Sequence, residues 1–297
     1  MNKINMNHYV LFHAYGSNEI LAECRFALMQ LLQQHDVETI CVVLYTDNPL
    51  YFKNELEAFS NAITEHITAK QITAWRGEIN FVHRVKIKVL QHFFSKYNGS
   101  VLYCDTDTYC IQSPATLFAN IDNGAFYMHT NEGYIKPTGN LVIKKWHHFL
   151  ANNNIQINNK KVANIECISM WNAGVIGIGS QYASLLAEVL AITDSIYPLL
   201  PRHTVEQFAF SYVFQNTCTI LPADNFIFHY WYLKEYRIFL KNFYLKYGTM
   251  SIDWQARKIQ GNLAEPILKE KMLYNKRFFL KRLFTPKWDI ANYSKNV

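Results

Sequence analysis

Val101-Leu102-Tyr103-Cys104-Asp105-Thr106-Asp107 decides how this chain is read. Four apolar residues in a row make a short strand, and the lack of polar alternation marks a strand covered by helices on both faces. Two carboxylates then stand two positions apart just past its carboxyl end. Alternate side chains of extended backbone share a face, so Asp105 and Asp107 can point at one ion. Hard oxygen ligands of this kind suit Mg²⁺ or Mn²⁺, which can bridge onward to substrate phosphates. Ligands of open parallel sheets also bind beyond the carboxyl ends of strands. The same string fits an ordinary acidic turn, so its surroundings must separate the two readings.

Outward from that strand the pattern repeats. Tyr9 to His13 is a short apolar strand broken by Gly16-Ser17-Asn18, and a helix from about Glu19 to Gln34 follows, with Ser17 or Asn18 as its N-cap. Thr39 to Tyr45 reads as a second buried strand. Apolar residues at helical spacing predict a helix from about Ile79 to Tyr97, stopped by Asn98-Gly99. Ala125 to Met128 and Ala173 to Ile178 read as strands, and Gln181 to Ile192 as a helix. The asparagine-rich stretch 151–164 reads as an exposed loop, and helices rich in Lys, Tyr and Phe fill most of 232–284. Strands alternating with helices predict an α/β fold with a mostly parallel central sheet and helices on both faces.

The 297 residues, 50% of them hydrophobic, suffice for one large domain with a core. The six cysteines form no C-x-x-C pair and read as reduced core thiols of a cytoplasmic protein. The apolar run near the N-terminus is too short for a signal peptide, and no run approaches the ~20 apolar residues of a membrane span. Asn98-Gly99-Ser100 and Asn292-Tyr293-Ser294 match the N-glycosylation pattern, and without an export signal they read as a turn and as chance. The net charge of +6 is uneven: from Lys234 onward 14 Lys and Arg stand against 5 Asp and Glu. Between Ile267 and Trp288, Lys269, Lys271, Lys276, Arg277, Lys281, Arg282 and Lys287 interleave with Leu273, Phe278, Phe279, Leu280, Leu283, Phe284 and Trp288. Cations mixed with bulky apolar residues suit an anionic membrane surface. The same stretch also fits a helical cap packed on the body. No motif supports nucleic-acid binding.

Four further segments bear on function. Trp171-Asn172-Ala173-Gly174-Val175-Ile176-Gly177-Ile178 puts small residues where a ligand can approach backbone. His203-Thr204-Val205-Glu206-Gln207-Phe208 starts a helix with an acidic-Gln pair. His229 follows an aromatic strand, and a neutral imidazole is a reasonable third ligand for Mn²⁺. Arg84, Lys86 and Lys88 make a basic element on the helix before the acidic strand. An aspartate-nucleophile phosphatase also begins with a strand and D-x-D-x-T/V, but here Tyr109 takes the last position and the string comes ~100 residues into the chain.

Together these segments, over roughly residues 8 to 234, resemble the GT-A superfamily of glycosyltransferases, and glycosyltransferase family 8 most closely. The resemblance implies a retaining, metal-dependent enzyme that uses nucleotide-diphospho-sugars. It implies that Asp105, Asp107 and His229 hold Mn²⁺ or Mg²⁺. Asn172, Glu206 and Gln207 would meet the donor sugar, with Gln207 near the anomeric carbon. Thr106, Ala173 and Gly174 would line the donor site. Lys234 and Arg84 or Lys86 would reach its phosphates. His13, Ala14, Tyr15, Tyr45 and Asp47, after the first two strands, would cradle the nucleotide. Two departures stand out. Ala14 and Tyr15 occupy the place of an acidic residue usual after the first strand. The H-x-x-G-x-x-K pattern is broken in His229-Tyr230-Trp231-Tyr232-Leu233-Lys234, which lacks the Gly and has the Lys one position early.

The expected organisation is thus a GT-A catalytic domain, residues 1–233, and a helical, basic and aromatic extension, 234–297. The expected function is hexose transfer, from a UDP-sugar donor, to a hydroxyl of a glycan or lipid-linked (lipopolysaccharide-type) acceptor. The expected place is the cytoplasm, peripheral on the inner face of the plasma membrane. The alternatives are a non-catalytic nucleotide-sugar-binding protein and the phosphatase above.

Overall fold

The computed structural model describes residues 7–157, 160–162, 164–260, 263–277 and 287–294. In chain order its strands begin with β1 (His8–Ala14), β2 (Cys41–Thr46), β3 (Ala62–His66), β4 (Ser100–Cys104), β5 (Thr108–Cys110) and β6 (Phe126–Met128). They continue with β7 (Asn131–Tyr134), β8 (Gln156–Ile157), β9 (Lys160–Lys161), β10 (Ser169–Trp171), β11 (Val175–Gly179), β12 (Ile220–Pro222) and β13 (Ile227–His229). The helices begin with α1 (Asn18–Leu32), α2 (Lys53–Glu57), α3 (Ala69–Arg76), α4 (Arg84–Lys96), α5 (Phe118–Asp122) and α6 (Leu141–Asn152). They continue with α7 (Leu185–Ile196), α8 (Val205–Gln215), α9 (Tyr236–Tyr247), α10 (Ile252–Ile259) and α11 (Ala264–Lys276), and Ala291–Ser294 adds a final turn.

Seven strands form one sheet in the order β12-β6-β11-β4-β1-β2-β3. β1 runs parallel to β2 and β4, β2 to β3, and β12 to β6. β11 alone runs against its neighbours, β4 and β6. The α/β fold with a mostly parallel central sheet and helices on both faces is therefore present. The apolar runs are buried throughout, and alternation assigns their side chains to two faces. Leu11, Val43 and Tyr103 join a cluster with α4, α7 and α8. Val10, Phe12, Leu44 and Leu102 join another with α1 and α5.

From Lys234 onward the described aromatics turn inward: Tyr236, Phe239 and Phe243 pack with Phe26 and Met29 of α1 in a third cluster. The outer side of these helices keeps Ile238, Leu245 and Leu273 exposed. Of the expected membrane-facing residues, Phe278, Phe279, Leu280, Lys281, Arg282, Leu283 and Phe284 lie outside the described residues. Among the described residues no helix is long and apolar enough to cross a membrane.

Three sequence expectations need correcting. The helix predicted from Ile79 starts at Arg84, because Gly77 (φ 67°) and Asn80 (φ 47°) hold the chain in a left-handed turn before it. The helix predicted from Gln181 starts at Leu185, after a 3-10 turn over Ser180–Tyr182. The 151–164 stretch is not simply an exposed loop: β8 pairs with β9, and Ile155, Ile157 and Val162 are buried. Its alternation of apolar and polar residues is a strand signal that the asparagines obscure.

Candidate active site

The carboxyl end of β4 opens onto a cleft of about 840 Å³. Asp105 leaves β4 at this edge, and its backbone N–H donates to the carbonyl of Gly174 at 2.8 Å. That bond exists because β11 is antiparallel. Its first residue, Val175, pairs with Cys104, so the chain entering β11 passes directly beside the chain leaving β4. The segment carrying Asn172, Ala173 and Gly174 is thereby delivered to the acidic pair.

His229 arrives by a second ladder. β13 pairs antiparallel with β5, setting His229 opposite Thr108, and Tyr230 N–H donates to Asp107 C=O at 3.0 Å. One ligand atom from each of Asp105, Asp107 and His229 then lies within 4.8 Å of the others. His229 Nε2 is 3.1 Å from Asp107 Oδ1, and Lys234 Nζ donates to Asp107 Oδ2 at 3.3 Å. Burial would raise both aspartyl groups, but the surrounding charge prevails. Lys86 holds Asp105 below the ordinary carboxylate range, and His229 and Lys234 do the same for Asp107. Both are acceptor-only oxygens, as a divalent cation requires.

The other ring nitrogen of His229 fixes which nitrogen faces the acids. Gly174 N–H donates to Asn172 at 3.0 Å, so the atom it meets is the amide oxygen. The same oxygen lies 2.9 Å from His229 Nδ1, which must therefore carry a proton. Nε2 is left for a metal or a proton. This is the arrangement that orients a metal-ligating imidazole, and two carboxylates with one such nitrogen make a donor set that fits Mn²⁺ or Mg²⁺.

Lys86, on α4, is 2% exposed. Its ammonium donates to Asp105 Oδ2 at 3.0 Å, Ala173 C=O at 2.8 Å and Glu206 Oε1 at 3.4 Å. An ammonium has three donors, so Lys86 is saturated by protein. It lines the cleft from within the wall, where it ties Asp105 of the candidate metal set to Glu206. Burial alone would lower the Lys86 pKa, yet Asp105 and Glu206 raise it. Glu206 Oε2 is buried without a hydrogen-bond partner, an acceptor left over in the cleft wall.

His13, Tyr15, Asp47, Thr106, Gln207 and Lys234 also line the cleft. Burial pushes the His13 imidazole down to about 4, so it stands neutral there. Asp47 accepts from Gly16 N–H at 3.0 Å, joining the ends of β1 and β2 at the far end of the cleft. Three expected residues do not reach it. Ala14 is wholly buried in the sheet. Tyr45 is also fully buried, its hydroxyl on His92 at 2.9 Å. Arg84 turns to the opposite side of α4, forking onto Asp194 at 2.7 and 2.9 Å and donating to Trp75 C=O. Helical spacing put Arg84 and Lys88 on one face but could not say which face met the cleft.

Glu132 and Arg237 belong to the cleft wall and were not singled out from the sequence. Glu132, on β7, accepts from Asn172 Nδ2 at 3.1 Å and from Gln207 Nε2 at 2.9 Å. It follows β6 just past that strand's carboxyl end, the same signal that marked Asp105. Arg237 sits in the first turn of α9, within a segment whose composition had pointed to a surface.

No protein-family model matches the chain, and no curated protein matches it in sequence. Solved structures do resemble it. The bifunctional glycosyltransferase WbbM superposes with a TM-score of 0.52 at 14% identity, over 75% of this chain and 40% of that one. This chain therefore spans two-fifths of WbbM. The galactosyltransferase LgtC, solved with donor and acceptor sugar analogs, gives 0.49 at 10% identity over 72% and 73%. Mouse xyloside xylosyltransferase 1 gives 0.47 at 12% over 72% and 84%. The match to WbbM shows that the fold of the chain is of the GT-A glycosyltransferase type.

Proposed function

We propose that the chain is a metal-dependent glycosyltransferase that moves a hexose, with retention, from a nucleotide-diphosphate donor to a hydroxyl of a glycan or lipid-linked acceptor. UDP-sugars are the donors of choice. The observation that carries this reading is the convergence of Asp105, Asp107 and His229 at the carboxyl edge of the sheet. A bound Mn²⁺ or Mg²⁺ would supply charge stabilisation for the departing diphosphate. The chain's own groups do the rest. Lys234 adds a cation beside Asp107. Glu206 lines the cleft, and its buried Oε2 has no hydrogen-bond partner, a carboxylate oxygen left for the donor sugar once the cleft wall adjusts around it. Glu132 holds the amide nitrogens of Asn172 and Gln207, which leaves the Gln207 amide oxygen to face the sugar. With both Glu132 oxygens engaged by amides, that carboxylate serves better as a brace than as a nucleophile. Attack by the acceptor from the same face as the leaving group, without a covalent intermediate, suits this arrangement.

The test is donor hydrolysis with Mn²⁺, screened over nucleotide-sugars after a thermal-shift search for binding. Asp107→Ala should stay folded and lose about 10³-fold or more of the rate. Turnover that survives Asp107→Ala, or a wild-type chain that neither binds nor cleaves any nucleotide-sugar, overturns the reading.

We also propose that the outer side of α9 and α11 meets an anionic membrane, which would place the enzyme beside a lipid-linked acceptor on the inner face of the plasma membrane. Exposed Ile238, Leu245 and Leu273 beside Lys241 and Lys269 support this. Sedimentation with vesicles containing phosphatidylglycerol tests it: the wild type should pellet, and a double Ile238→Ser, Leu245→Ser variant should not.

A further inference from the structure

We infer that Arg237 is the residue that grips the donor's diphosphate alongside the metal, and that Glu23 is the anchor that aims it. The inference rests on the glycosyltransferase reading of the cleft and supplies the diphosphate contact that the broken motif after His229 leaves open. Arg237 occupies the first turn of α9, where the helix dipole disfavours a cation, so its place calls for a partner outside the helix. One partner is Glu23 of α1, whose Oε2 accepts from Arg237 Nε at 2.9 Å. Glu23 is 1% exposed, whereas the Arg237 side chain is 30% exposed and lines the cleft.

The geometry separates the two ends of the guanidinium. Nε is tied to a buried carboxyl oxygen, and the planar head carries four more N–H groups. A fork fixed at its stem is pre-organised for the paired oxygens of a phosphate, which a point-charge ammonium matches less well. Lys234, the cation expected from the resemblance, is 58% exposed on a flexible stem and already engaged with Asp107. Arg237 backs it directly, since Arg237 N–H donates to Lys234 C=O at 3.2 Å. The two cations therefore reach the cleft from one short segment.

A purely structural role would make the Glu23 pair a strut between α1 and α9. That work is done elsewhere: Arg25 of α1, 11% exposed, pairs with Glu55 and donates to Gly248 C=O at 3.1 Å just past α9. Arg25 does not line the cleft.

The experiment titrates UDP, GDP and ADP, and the matching nucleosides, into the full-length chain with Mn²⁺ by calorimetry. The wild type should bind one diphosphate. Arg237→Met should weaken that diphosphate about tenfold or more while leaving its nucleoside within about twofold. Arg237→Lys keeps the charge, loses the fork and should fall between them; it carries the test alone if the Met variant does not fold. Unchanged diphosphate affinity overturns the inference and leaves the enzyme reading standing. Equal loss for diphosphate and nucleoside also overturns it, by making Arg237 structural. A wild-type chain that binds none of the three diphosphates sinks the parent reading and this one with it.

Discussion

A methyl group on Gly174 would lie 2.2 Å from Cε1 and Nδ1 of His229. No imidazole can occupy its present place beside anything larger than glycine at 174. Gly174→Ala should therefore push His229 off the acids. The expected outcome is loss of Mn²⁺ binding by calorimetry, with a stability cost of about 1–3 kcal/mol in urea unfolding. Unimpaired Mn²⁺ affinity in this variant would show that His229 is no ligand.

Asn172 governs the same imidazole from the other nitrogen. Asn172→Ala removes the acceptor at 2.9 Å from Nδ1 and frees the ring to rotate or change tautomer. Mn²⁺ affinity should fall about 10–100-fold, the usual cost of removing such a support. Ordinary affinity in the variant would mean that Asn172 does not orient a metal-binding imidazole.

Lys86→Met tests the buried triad. It leaves Asp105 and Glu206 facing each other without a cation, in a region where Lys86 is 2% exposed and Glu206 3%. The loss of stability should be about 3–5 kcal/mol by urea denaturation. Added Mn²⁺ should restore part of it by neutralising Asp105.

Two buried groups give stability opposite pH dependences. Burial, with His229 alongside, pushes His129 down to about 4 from 6.5. Between these values the unfolded chain binds a proton that the folded chain excludes, so the stability present above 6.5 is lost as pH falls. Burial, with Asp107 alongside, pushes Glu23 up to about 7 from 4.5. There the folded chain holds the extra proton, so stability declines as pH rises through that window. The two largely cancel in the wild type. Glu23→Gln should lose on the order of 2 kcal/mol as pH falls from about 6.5 to about 4.5, and His129→Gln should lose stability in the opposite direction. Parallel curves for the two variants would contradict both assignments.

What the sequence disclosed followed from local chemistry. Continuous apolar runs mark strands buried on both faces, and polar residues just past their carboxyl ends mark the cleft, which is how Asp105 and Asp107 were found. Residues placed by the family resemblance, Asn172, Glu206, Gln207 and His229, also converge on the cleft. What stayed hidden depends on long-range pairing. Nothing in Val175 to Gly179 says that the strand runs backwards, and nothing in Glu132 says that two amides will close on it. Tyr45 shows the limit of the strand rule, since a side chain near a strand end can still point into the sheet's covered face. Arg84 and Lys86 are two residues apart, and only packing decided that the lysine, not the arginine, would enter the site.

The reversal of β11 has an evolutionary consequence. Because that one strand is inverted, the segment feeding it and the segments leaving its parallel neighbours all surface on a single rim of the molecule. Mutations can reshape the groups along that rim, and with them what the cleft accepts, while the sheet beneath is left untouched. A framework of this kind lets new specificities arise without renegotiating the core.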